Sequence, residues 1–131
     1  MYAVHHQNIL LIRFLLEQLS KVKNELNYNP VDKQNHTGCT ALHIAARKGN
    51  KEILGLLLQN GATLNIADVF SMTALHGAAI GNHPEIVTIL LEAGIDASIK
   101  EFVKKMTAKD MAIAFKREAA IQAFEVFENK K

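Results

Sequence analysis

Apolar residues along this chain return at spacings of three and four, the mark of helices with one buried face, and the blocks they form return as units. Thr40-Ala41-Leu42-His43 recurs 33 residues later as Thr73-Ala74-Leu75-His76. From these anchors the register holds: Ala45-Ala46 matches Ala78-Ala79, Glu52-Ile53-Leu54 matches Glu85-Ile86-Val87, Leu57-Leu58 matches Leu90-Leu91, and Gly61 matches Gly94. A weaker third copy starts 34 residues on, at Thr107-Ala108-Lys109-Asp110-Met111-Ala112, so one residue is inserted before it. It carries Ile121 and Phe124 where the earlier copies have Leu54 or Val87 and Leu57 or Leu90. Leu11 to Glu17 parallels Ile86 to Glu92 as a fourth, partial copy, and the chain is therefore expected to begin inside a repeat.

The same elements follow in each copy. Thr40 and Thr73 stand where an N-cap belongs, with a hydroxyl able to accept from a free amide of the first turn. A short helix runs from Ala41 to about Lys48, its Ala-Ala pair allowing close helix approach, and Gly49 or Asn82 stops it with a residue tolerant of positive φ. Pro84 falls in the first turn of the next helix, where its missing N–H is not needed. There Ile53, Leu56 and Leu57, and again Ile86, Ile89 and Leu90, form one apolar stripe. Asn60-Gly61 would be a hairpin signal between strands, but after a helical stripe Gly61 reads as a C-cap. Leu64 to Met72 and Ile95 to Met106 are expected as short extended or hairpin-like connectors.

The period of 33 and the Thr-Ala-Leu-His-x-Ala motifs resemble the ankyrin repeat, whose signature is T-P-L-H-x-A. The resemblance implies an all-α ankyrin-repeat solenoid of stacked helix-turn-helix units joined by β-hairpin-like loops. It divides a single domain, residues 1–131, into a partial first repeat with an extended outer helix (1–34), two full repeats (35–67 and 68–100) and a degenerate cap (101–131). Thr40, His43, Gly49, Gly61, Thr73, His76 and Gly94 are its structural motif positions, with His43 and His76 tying neighbouring hairpins by hydrogen bonds. The departures are specific. Ala41 and Ala74 replace the usual proline, and Ser71 replaces the loop glycine kept at Gly38. Gly77 sits at a normally aliphatic position and should leave the second repeat underpacked. Lys109 and Lys116 stand where Leu and Gly are usual, which suits a polar terminal cap. Near the start, about nine residues are inserted between Gln18 and Tyr28. They are expected to lengthen the outer helix, because Ile12, Leu15, Leu19, Val22 and Leu26 extend the apolar spacing. That stripe is expected to pack on the neighbouring repeat, with a weak homodimer or partner helix as the alternative.

Composition narrows the function more than it names it. With 49% hydrophobic and 21% charged residues, and only seven Gly and two Pro, the chain is neither disordered nor collagen-like. A net charge of +2, from 15 basic and 13 acidic residues, is too small to argue for nucleic acid. The apolar stretch from Ile9 to Leu16 is broken by Arg13 and is too short for membrane insertion; it also lacks the flanks of a secretory signal. One cysteine forms no internal disulfide, so an intracellular and cytoplasmic setting is expected. No metal is expected: His43, His76 and His83 are accounted for by the repeat, His5-His6 lies near a chain end, and zinc favours closely spaced thiolates or histidines. Ser71, His76 and Asp68 lie near one another in sequence without oxyanion donors, and Cys39 lacks an organised base, so no catalytic residue, enzymatic activity or cofactor is assigned.

Binding remains. The resemblance places partner contacts on hairpin tips and on the exposed face of the inner helices. The tip positions are His36, Thr37 and Cys39, then Val69, Phe70 and Met72, then Phe102 and Val103. The inner-helix positions are Arg47 and Lys48, then Ile80 and Gly81, then Ala114 and Phe115. This surface reads as basic in the first full repeat and apolar beyond it, fitted to a protein segment that is apolar with an acidic edge. Phe70, Phe102 and Phe115 have a competing reading, packing on one another between fingers in the space left by Gly77.

Overall fold

A computed structural model describes residues 2–26 and 29–130, with side chains described for residues 8–19, 21 and 29–130. Seven α-helices occur among them and no strand: α1 (Tyr2–Leu26), α2 (Ala41–Lys48), α3 (Lys51–Gln59), α4 (Ala74–Ile80), α5 (Pro84–Ala93), α6 (Ala108–Ala114) and α7 (Glu118–Asn129). A single 3₁₀ turn, Pro30–Asp32, follows α1. The short helices α2, α4 and α6 form an inner row in which α4 packs between its two neighbours, while α3, α5 and α7 form an outer row behind them. Each inner helix is too short to be stable alone, so packing rather than propensity holds it.

Alanine lets the inner row pack closely. Ala45, Ala46, Ala78, Ala79 and Ala112 are all buried, with no side chain beyond Cβ to hold the helices apart. The outer row supplies bulk: Leu54, Ile86, Val87 and Leu90 are completely enclosed. Burying each of these side chains stabilises the stack by roughly 1.5–3 kcal/mol relative to leaving it in water. The repeats thus share one core, as expected of units that cannot cover their own apolar faces.

The chain stops its helices at the same places in every copy whatever residue stands there. Gly38, Ser71 and Lys105 occupy corresponding loop positions with φ of 82°, 61° and 58°. Gly49, Asn82 and Lys116 end the inner helices with φ of 76°, 59° and 57°. The left-handed conformation costs a non-glycine residue about 1–2 kcal/mol, so Ser71, Lys105 and Lys116 hold it because the stack dictates it. Gly61, also left-handed, follows the C-cap Asn60 of α3, where the amide of Ala62 bonds Leu57 O at 3.0 Å; no hairpin forms.

The N-terminal helix corrects one expectation. Its buried face is Ile9 and Leu16 with Ile12 and Leu19 half-buried, whereas Leu15 is 49% exposed at the solvent edge of that arc, with Leu10, Leu11 and Phe14 exposed further round. Rotation by 100° per residue explains the difference: positions 9, 12, 16 and 19 share an arc that position 15 leaves. The expected contributions of Val22 and Leu26, and the pair His5-His6, lie outside the described side chains.

Two backbone positions test this account. Gly49 combines a positive φ with crowding, since a Cβ there would stand 2.5 Å from the His83 ring. Gly49→Ala is expected to lower unfolding free energy by about 2 kcal/mol. Lys116→Gly, which relieves strain without touching the core, is expected to raise it by about 0.5–1 kcal/mol. Urea denaturation of the two variants beside the wild type measures both; stabilisation by Gly49→Ala would overturn the crowding argument.

Candidate partner-binding site

The fingers that precede α2, α4 and α6 are built from acceptors placed in register. Asn35, Asp68 and Glu101 each receive backbone N–H groups from their own loop. Asn35 Oδ1 accepts from Thr37 and Cys39 at 3.0 Å, and Asp68 Oδ1 accepts from Phe70 and Met72 at 2.8 and 3.0 Å. Glu101 accepts from Val103 and Lys104 at 2.7 Å and from Met106 at 3.2 Å. The inserted residue of the third copy lies in this last loop, and the extra methylene of glutamate spans the longer turn. Burial pushes the Glu101 carboxyl up, but the amides of Met106, Val103 and Lys104, together with His76, outweigh it and hold the carboxyl below its ordinary range.

Neighbouring fingers are joined by their backbones. Val69 N–H donates to Thr37 O at 3.0 Å and Phe102 N–H to Phe70 O at 2.8 Å. Histidine makes the second tie. His43 Nδ1 accepts from the Thr40 amide at 3.1 Å and its Nε2 donates to Met72 O at 3.0 Å. His76 repeats this with the Thr73 amide and Met106 O, both at 3.1 Å. The two partners of His76 require the neutral ring with its proton on Nε2. Burial pushes the pKa of His76 down, against the opposing pull of Met106 O and the Glu101 and Asp68 carboxylates.

A third tie lies behind the inner row. His83 Nε2 donates to Arg47 O at 2.9 Å and, one repeat on, Arg117 Nε donates to Ile80 O at 2.8 Å. Sequence reasoning missed Arg117 and the series Asn35, Asp68, Glu101. Both were present as residues at the repeat spacing, but their chemical identities change from copy to copy.

Several expected site residues meet in one depression. Cys39, Arg47, Met72 and Ile80 line a cavity of about 170 Å³ with His43, Asp68, Thr73 and Gly77. Cys39 Sγ lies 3.8 Å from Asp68 Oδ2. Val69, Phe70, Phe102 and Val103 stand beyond it on the tips, 52–69% exposed. Thr37 serves the finger, with Oγ1 bonded to Asn35 Oδ1 at 2.8 Å, and His36 is exposed at the tip. Lys48, at the far end of α2, and Phe115, the C-cap of α6 and 49% exposed, belong neither to the depression nor to the tips. Phe70, Phe102 and Phe115 are all about half exposed and outside the core, so they do not form the packed inter-finger cluster. The third tip also carries charge that the apolar reading passed over: Lys104 and Lys105 are exposed, and Lys105 Nζ lies 4.6 Å above the Phe102 ring, a cation–π contact.

Among the described residues no group of three or more His, Cys, Asp or Glu could hold a metal ion, and no helix is long and apolar enough to cross a membrane. A family model described as ankyrin repeats, in three copies, matches residues 1–101. Human protein phosphatase 1 regulatory subunit 12B is 41% identical over 54 residues, and its mouse counterpart shows the same identity over the same length. Those segments cover 40% of this chain but 6% of each relative.

Two measurements test the finger supports. Because the folded state resists protonating His76, stability is fully present above pH 6.5 and falls as pH drops below it, by at most about 1.4 kcal/mol per pH unit for this one proton. Thermal midpoints at pH 7.5, 6.5 and 5.5 should therefore decline, and His76→Gln, less stable throughout, should decline less; equal slopes would overturn the assignment. Glu101→Ala is expected to speed amide hydrogen exchange at Val103, Lys104 and Met106 by about tenfold or more while Thr73 is unchanged. Unchanged exchange in that loop would show that Glu101 does not hold it.

Proposed function

Since the chain belongs to the ankyrin-repeat family, we propose that it is a protein-interaction module that holds a segment of a protein partner between its fingertips and its inner-helix face, with no chemistry of its own. The observation that carries this reading is the set of Val69, Phe70, Phe102 and Val103, large apolar side chains in solvent on two fingers bonded to each other. Apolar residues gathered on a rigid support mark an interaction surface, and aromatic anchors carry most of the energy in such contacts. Arg47, Lys104 and Lys105 border the apolar residues, so the partner segment is apolar with an acidic edge, and the charges chiefly raise its rate of association. We take the repeats to divide at 34, 67 and 100 within one domain, and the setting to be the reducing cytoplasm, where Cys39 stays a thiol. A homodimer through α1 is the weaker partner alternative.

A second reading is favoured by the likeness to a subunit named as regulatory: the chain serves as a regulatory or targeting part of a larger protein, or as a small inhibitor that blocks an enzyme. An enzyme partner that loses activity on mixing distinguishes this reading from passive scaffolding.

The test compares the wild type with a Phe70→Ala, Phe102→Ala, Phe115→Ala triple variant in affinity capture from lysate, after circular dichroism shows both to be helical. Each ring is about half exposed, so each substitution should cost roughly 1 kcal/mol, well below the ~3–5 kcal/mol of a core phenylalanine. A partner kept by the wild type and lost by the folded variant supports the surface. Capture of the same partner by both proteins refutes it, and an unfolded variant would show the rings to be core.

A further inference from the structure

Gly77 breaks the chain's own pattern. The corresponding residue is Ile44 in the preceding repeat and Met111 in the following one, both large and apolar. At Gly77 the side chain is missing, and the residue lines a cavity beside α4 together with Thr73, Met72 and Ile80. A Cβ added at Gly77 would meet Arg47 Cβ at 3.4 Å, an ordinary contact, so no steric need excludes a side chain. Helix interiors also disfavour glycine by roughly 0.5–1 kcal/mol relative to alanine. The glycine therefore weakens α4 and leaves an open site in return.

Size and charge say what that site takes. About 170 Å³ is well below the ~300–1,000 Å³ of small-molecule pockets, and close to the ~150 Å³ that accommodates one benzene ring. One large side chain fills it. The two charged groups at its edge are not equivalent. Asp68 is engaged: Oδ1 accepts the Phe70 and Met72 amides and Oδ2 faces the Cys39 thiol. The Arg47 guanidinium has no ion pair or side-chain hydrogen bond among the described residues. It is the free charge beside the cavity.

We propose that the Gly77 cavity is an anchor subsite for a linear protein segment that inserts one Phe, Leu or Met side chain, with an Asp or Glu close by in sequence paired to Arg47. This rests on the partner-binding reading above and gives it a chemical specificity. The anchor would be buried against Met72 and Ile80 while the flanking chain runs along the fingertips.

A random linear-peptide phage library panned on the full chain supplies the probe, and the enriched sequences are synthesised for titration. They are expected to share one large apolar residue with an acidic neighbour. Gly77→Met, which places the side chain of the third repeat in the second, should weaken them by more than about tenfold, the worth of one buried apolar side chain. Gly77→Ala should have a smaller effect and fold with equal or greater stability, and the helical circular dichroism and melting temperature of Gly77→Met, expected to match the wild type, separate loss of binding from loss of fold; should Gly77→Met unfold, unchanged binding by both Gly77→Ala and Arg47→Ala overturns the subsite. Arg47→Ala should weaken the peptides about threefold to tenfold, less at high salt. Peptides that bind Gly77→Met as well as wild type overturn the subsite. If such peptides are still lost by Phe70→Ala with Phe102→Ala, the broader surface stands; if they bind every variant equally, it fails too. A library that yields no binder overturns recognition of a single linear segment.

Discussion

The buried histidine that bonds backward to its own threonine and forward to the next finger is the contact on which the stack depends. A repeat cannot cover both faces of its helix pair, so its stability comes from its neighbours, and hydrophobic burial alone does not fix how far along or around one repeat sits on the next. His43 and His76 fix it. One ring nitrogen closes the first turn of the inner helix and the other satisfies a carbonyl of the following loop, at Met72 or Met106. Because the ring is rigid, the angle between helix and finger is set by the same residue that sets the spacing between repeats. Losing it would leave a carbonyl and a loop amide without partners where water is excluded.

Other bonds repeat at the same spacing and act in parallel. Asp32 binds Thr63 through both its amide and its hydroxyl, and Asn65 accepts from Asp96 one repeat later. Behind the inner row the imidazole of His83 and the guanidinium of Arg117 perform one task with different chemistry, each donating to the end of the preceding inner helix. The third repeat closes its inner helix with a different group. Asp110 replaces the histidine, and its carboxylate and amide still complete the capping box with Thr107, while no forward bond is made. A carboxylate, which only accepts, completes the cap without a ring to reach forward.

The recognition surface inherits its rigidity from these ties. Val69, Phe70, Phe102 and Val103 are held in water because their backbones are fastened between fingers and to the carboxylates of Asp68 and Glu101. A partner meeting such a surface orders little of it on binding, which lowers the entropic cost of association. The price of this arrangement is visible in the strained φ of Ser71, Lys105 and Lys116, where the stack imposes a left-handed turn on side chains that resist it.

The sequence by itself determined the helices, their ends and their order. The cap at Thr40 and the left-handed Gly49 act within a few residues, and the 33-residue period carries such signals from copy to copy, so local chemistry suffices to read them, although the Thr73 hydroxyl makes no cap bond to a first-turn amide. It also exposed Gly77 and Lys116 as departures, since a repeat supplies its own comparison. Only the tertiary structure decided which side of α1 is buried, because that helix is apolar on two faces and spacing alone ranks Leu15 with Ile12. It alone decided that Cys39, Arg47, Met72 and Ile80 share one depression while Lys48 and Phe115 stand apart, and that Arg117 continues the work of His83. Those facts depend on distances between residues about 30 or more apart in the chain, which are set by how repeats stack and not by any pattern within one of them.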